Sequence, residues 1–243
     1  MDVSSLSALL LLADGRYPAG GHAHSGGLEV ACATGRVHDV DSLAAFLRGR
    51  LATAGLVAAA FAAAAREAVA REAVAREAVA GEATAREAAG VPARLAELDA
   101  ELDARTASPA LRVASRRQGR ALARAGRATW PSPVFGALPA DPHQPVALGT
   151  VAAAAGLAAS DAALVAAYGV LTGPAASAVR LLALDPYPVQ ALLARLAGAC
   201  DETAARGAAY AHRPLAGLPA ATAPLADIGA ELHATWEVRL FAS

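Results

Sequence analysis

The sequence predicts an all-α protein, a single helical-bundle domain spanning residues 1–243 with a charged repeat insert. Three observations lead there. Hydrophobic residues make up 56% of the 243 positions, yet aromatics make up only 4%. Alanine, the strongest helix former and a residue that buries little area, supplies most of the difference. The β-branched and aromatic residues that strands favour are scarce outside scattered Val and Thr.

The elements follow in chain order. "SSLSALLLLA" lacks the basic flank and cleavage site of a signal peptide and reads as a first helix over about 4–13. A glycine-rich stretch, "YPAGGHAHSGGLE" (17–29), precedes a short helix from Leu28 to Thr34, ended by Gly35. Asp39 or Asp41 caps the next helix, whose Leu43, Phe46, Leu47 and Leu51 share one face. The "REAVA" repeat fills 66–89. Five residues advance a helix by about 500°, so its valines share no face. Its Glu-to-Arg pairs at i,i+4 support a solvated helix instead. "ARLAELDAELDA" is a further helix whose carboxylates read as surface residues, and Ser108-Pro109 starts another. Along that helix Arg112, Arg116, Arg120, Arg124 and Arg127 fall within about 120°, a stripe expected to face solvent or a partner. A Pro-rich connection (130–145) leads to helices at 146–158 and from Ser160 through Arg180. The uncharged run 162–179 nears the length of a membrane span. Its Gly173-Pro174 and high alanine content point instead to two buried helices of a soluble fold. After "DPYP" comes a helix over 189–210, then an amphipathic tail with Leu232, Trp236, Leu240 and Phe241 clustered.

Composition excludes several functions. All 21 basic residues are arginine, so a phosphate-binding P-loop lysine and Schiff-base chemistry are both out of reach. A net charge of −1 provides no field for nucleic acid. Cys32 and Cys200 are far apart and fit a reduced, cytoplasmic protein. His22 and His24 have spacing acceptable for a metal, but a third ligand (Glu29, His38 or His143) would be needed. Ser25 lacks the strand–turn–helix context of a nucleophile. The residues alone therefore give no catalytic set, no metal set and no cofactor. They describe an interaction protein, with a small histidine-based metal carrier or metalloenzyme using His22 and His24 as the alternative.

The glycine-rich stretch resembles the N-terminal signature of the UreF family of urease accessory proteins, Pro-x-Gly-Gly followed by Ser-x-Gly-Leu-Glu. Pro18, Gly20, Gly21, Ser25, Gly27, Leu28 and Glu29 match it, and His22 stands where the family commonly has Phe. "LRVASRRQGRAL" resembles the family's Leu-Arg-x-x-Ser-x-x-x-Gly helix through Ser115 and Gly119, and "HQPVALG" its His-x-Pro-x-x-x-Gly segment. "AVRLLAL" and the closing "RLFAS" continue the series. After Arg180-Leu181 the family's Gly-Gln pairs are replaced by "DPYPVQ", which keeps Gln190. The resemblance implies a non-enzymatic, homodimeric chaperone. It would bind a UreD/UreH-type accessory protein, recruit the UreG-type GTPase, and serve nickel insertion into apo-urease. Candidate partner-facing residues are Gly20, Gly21, His24, Ser25, Gly27, Leu28, Glu29, Ser115, Gly119, Arg180, Gln190, Trp236, Arg239, Leu240 and Phe241. No nucleic-acid or membrane partner is expected.

Overall fold

The computed structural model describes residues 3–79 and 90–241, and it is all-α, with no β-strand among the described residues. The helices are α1 (Val3–Ala13), α2 (Leu28–Ala33), α3 (Val40–Arg50), α4 (Leu56–Val79), α5 (Gly90–Arg105), α6 (Pro109–Thr129), α7 (Gln144–Ala154), α8 (Ala159–Leu181), α9 (Pro186–Ala208) and α10 (Pro224–Ala234). Local chemistry explains their starts. The Asp39 carboxylate accepts the Ser42 N–H, while Ser42 Oγ takes the Asp39 N–H in return. Ser108 caps α6 ahead of Pro109, and Asp185 caps α9 ahead of Pro186.

Helix α4 is the axis of the fold. Ala59, Ala60, Phe61, Ala62, Ala63 and Ala65 are wholly buried, so this segment is covered on every side. Helices α7, α8 and α9 pack around it, with α5 beside them. Alanine offers little side chain to interdigitate, so the helices close in until backbones nearly touch. A Cβ on Gly149 would lie 2.3 Å from the Ala62 carbonyl, and one on Gly207 would lie 2.4 Å from Ala59 Cβ. Between α3 and α4, residues Leu51–Gly55 form a turn of π-helix that keeps the two nearly continuous.

Two expectations change. Residues 159–181 form one helix with Pro174 inside it, not two. Proline lacks an N–H and leaves the Val170 carbonyl one turn earlier without its usual partner, and packing against α4 and α9 holds the helix together. The segments Val40–Ala70 and Ala159–Leu181 are long and apolar enough to cross a membrane, yet much of their apolar surface is spent on the helical core. The repeat starts inside that core: Ala68 and Val69 are buried and Arg66 Nε donates to the Leu157 carbonyl at 2.6 Å. The side chains of 71–89, most of the expected solvated insert, lie outside the described residues.

Two glycines on helices test the close-packing account in opposite directions. A Cβ on Gly119 would lie 2.0 Å from the Pro142 carbonyl oxygen. Gly119→Ala is therefore expected to lower stability by about 1–3 kcal/mol in urea denaturation despite better helix propensity. Gly198, inside α9 with nothing within 4 Å of its would-be Cβ, should gain about 0.5–1 kcal/mol as alanine.

Candidate protein-interaction site

The glycine-rich stretch is a shaped connection that passes over α8. Gly20, Gly26 and Gly27 have φ of 76°, 60° and 85°, a left-handed backbone that glycine adopts without strain. Tyr17 at its start is buried, stacks on Trp130 and donates its hydroxyl to Thr129. Gly21 and Ala23 are exposed on a 3-10 turn, and His24 is half-buried. The His22 side chain lies outside the described residues. Gly26 sits against Arg50: Nη1 donates to its carbonyl at 2.6 Å, and a Cβ there would meet the guanidinium at 3.0 Å. Ser25 is fully buried, its Oγ accepting the Glu29 N–H, and Leu28 is fully buried in the core.

Glu29 turns this stretch into an anchor. Its carboxylate is buried and accepts three hydrogen bonds from the C-terminal region: His233 Nε2 at 3.0 Å, the Leu240 N–H at 2.9 Å and the Phe241 N–H at 3.0 Å. Phe241 is buried, with the Arg180 guanidinium 4.9 Å over its ring. Trp236 is half-buried, its ring edge-on to His233. Arg239 and the Leu240 side chain are exposed. The expected apolar cluster of the tail is therefore split. Phe241 packs back on the protein, while Leu240 and Leu232 face outward.

A cleft of about 580 Å³ opens beside this anchor, bounded by α1, the glycine-rich stretch, α6, α7 and α8. Gly21, His24, Arg180, Gln190 and Phe241 all line it, so five of the sequence-derived candidates come together there. Ser115 and Gly119 lie elsewhere.

Those two belong to a second polar cluster that the sequence reading missed. Asp99 and Asp103, expected on the surface, are one turn apart on α5 and bind inward. Asp99 is buried and accepts the His143 N–H at 2.6 Å and Arg116 Nη1 at 2.9 Å. Asp103 accepts Arg116 Nη2 at 2.7 Å and lies 3.0 Å from His143 Nε2. Ser115 Oγ accepts the Gln144 N–H and meets His143 Nδ1 at 3.0 Å. This network assigns the proton of neutral His143 to Nε2, donated to Asp103, with Nδ1 accepting from Ser115. Burial pushes the His143 imidazole below its ordinary range. Burial opposes ionisation of Asp103, but hydrogen bonds from Arg116 and His143 outweigh it and hold the carboxyl low. Arg120 pairs with Asp141, and Arg112 reaches the Thr106 carbonyl. The arginine stripe is thus largely spent within the protein rather than offered to solvent or a partner. Arg116, Asp99 and Asp103 carry the periodicity of exposed residues, and only the spacing of Asp99 and Asp103 hinted at a shared target.

Ser115, His143 and Asp103 are linked as in a hydrolase triad, but they cannot act as one. The imidazole is completely buried, and Ser115 Oγ is occupied by a backbone N–H. Among the described residues no group of three or more His, Cys, Asp or Glu side chains is arranged to hold a metal.

Comparison with known proteins follows the same lines. Residues 37–197 match the UreF family. The chain is similar to the urease accessory protein UreF of Mycolicibacterium vanbaalenii, with 44% identity over 242 residues, 99% of this chain and 100% of that protein. It is similar to UreF of Mycobacterium sp. strain JLS, with 45% identity over 244 residues and the same coverage. UreF of Mycobacterium tuberculosis is 39% identical over 233 residues, 95% of each chain.

Two measurements probe the buried polar groups. Because folding holds His143 neutral, the unfolded chain binds the proton first. The stability this neutrality contributes is complete above the unfolded pKa of about 6.5 and is lost as pH falls toward the depressed folded value. Urea midpoints should therefore drop between pH 7.5 and 5.5, and His143→Gln should be less stable at pH 7.5 but lose less on acidification. For the anchor, Glu29→Gln faces an amide NH₂ toward donors that need an acceptor. Hydrogen exchange at the Leu240 and Phe241 amides should accelerate about 10- to 100-fold with helical content unchanged.

Proposed function

The chain belongs to the UreF family of urease accessory proteins, and on that premise we propose that it acts in the cytoplasm as a single-domain, homodimeric chaperone of urease maturation. In this reading it binds a UreD/UreH-type accessory protein, and together they recruit a UreG-type GTPase for nickel insertion into apo-urease. Its own role is non-enzymatic, as for the family. The observation that carries the reading is identity of 39–45% along nearly the whole chain to proteins named urease accessory protein UreF. Nickel is cargo in this reading.

Partner contact is proposed at the surface around the glycine-rich stretch and the tail, where Gly20, Gly21, His24, Arg180, Gln190, Trp236, Arg239 and Leu240 lie. Ser25, Gly27, Leu28, Glu29 and Phe241 support this surface from beneath, while Ser115 and Gly119 act through the α5–α6 scaffold. Tail residues suit this role because Val238 is 83% exposed and Leu240 68% exposed although both are apolar.

Co-expression with a UreD/UreH-type protein and capture of the complex tests the reading. Arg239→Ala combined with Leu240→Ala removes two exposed side chains and leaves the Glu29 anchor, which uses backbone N–H groups. Affinity for that partner should fall about 10- to 100-fold with unchanged thermal stability. Absence of any complex with the unaltered chain would overturn the proposal.

A further inference from the structure

Among the described residues, the cleft beside the tail carries an imbalance of charge. Arg50 and Arg180 both line it, and among the described residues neither makes an ion pair. Arg50 has only the Gly26 carbonyl at 2.6 Å and the Phe46 ring at 6.0 Å, and its Nε is buried with no hydrogen-bond partner. Burial pushes this guanidinium down to about 10, which leaves it protonated at neutral pH. The contact of Arg180 is the face of Phe241, which carries no full charge. Asp14 is the one acid among the described lining residues, and Arg16 already holds it at 2.6 Å.

A desolvated cation without a counter-ion is costly, and a bound carboxylate would offset that cost through charge-assisted hydrogen bonds. The rest of the lining narrows the ligand. Leu12, Leu148 and Leu193 give an apolar wall, while Gln118, Gln144 and Gln190 bring amides that both donate and accept, as peptide groups require. The volume of about 580 Å³ suits a short extended segment. We propose that this cleft binds a carboxylate on an apolar stem, presented by a polypeptide segment of a protein partner, with Arg50 and Arg180 as its cationic receptors.

Trp130 supplies a reporter, because it stacks on Tyr17, which lines the cleft. The chain has two tryptophans, so Trp236→Phe leaves Trp130 alone to emit. In that full-length protein, hexanoate should shift Trp130 emission saturably, and hexanamide should bind at least about tenfold more weakly. The peptide acetyl-Ala-Leu-Glu-Leu-Ala-amide should bind more tightly than hexanoate, and its Gln analogue should lose that advantage. Arg180→Gln, an exposed position that should not endanger folding, should weaken hexanoate about tenfold; Arg50→Gln should weaken it further where the variant folds. Equal binding of hexanoate and hexanamide, no response to either, or no effect of Arg180→Gln would overturn the proposal. Binding of hexanoate without the peptide would overturn the polypeptide source and assign the cleft to a small carboxylate. The titration uses the isolated chain, so its outcome is independent of complex formation with an accessory protein.

Discussion

Close approach of helix backbones around α4 is the constraint on which the rest of the structure depends. With aromatics at 4% and alanine dominant, each core position buries little area. Stability then requires many contacts at short range, and the helices reach it by crossing at glycines. Gly149 on α7 meets the Ala62 carbonyl, Gly207 on α9 meets Ala59, and Gly126 on α6 meets Val151. Such crossings admit no added methyl group, so the small-residue composition is a requirement of the packing as well as a source of helix propensity.

The same constraint explains why buried polar groups hold the irregular segments. A core of small side chains has few large anchors with which to pin a loop or a tail. Asp99 instead takes the His143 N–H at the entry to α7, and Glu29 takes the Leu240 and Phe241 N–H groups at the end of the chain. Each carboxylate satisfies backbone donors that burial would otherwise leave unpaired. Ser115 and His143 belong to this role. Their triad-like connectivity follows from closing a loop over α6, where Gly119 lets the Pro142 carbonyl approach.

Fold class was legible because alanine content and caps act locally. Asp39 and Ser108-Pro109 each declared a helix start that the structure has, whereas "DPYP", read as a break before residue 189, is itself the cap and first turn of α9. Of the candidate site, motif resemblance singled out Gly21, His24, Arg180 and Gln190, the apolar tail singled out Phe241 as well, and the fold brings the five to one cleft. What failed were the inferences about what opposes the charged faces of α5 and α6, whereas the apolar face of Leu43, Leu47 and Leu51 packs inward as read. The stripe of Arg112, Arg116 and Arg120 has the periodicity of a solvated face, and Asp99 and Asp103 have it too. Each set looked exposed because its counterpart lay on another helix or on a connecting segment. The Glu29 anchor joins residues more than 200 positions apart, a relation that no local pattern encodes. Pro174 misled for a different reason: local propensity says break, and packing against α4 and α9 overrides it.

These ties also join the tail to the scaffold. On α10, Gly229, Ala230 and His233 face inward, while Leu225, Ile228 and Leu232 lie outward at 66%, 66% and 47% exposure. Glu231 of the same helix accepts the Ser108 hydroxyl and the Ala110 N–H, so α10 helps to cap α6. His233, two residues on, reaches Glu29. One short helix therefore connects the start of α6, which carries the Ser115–Arg116 network, to the carboxylate that holds the chain's end. The exposed tail residues are thus tied through Glu29 and α10 to α6 by a continuous series of hydrogen bonds. Glu29 and His233, which look catalytic in isolation, are consumed in making that connection.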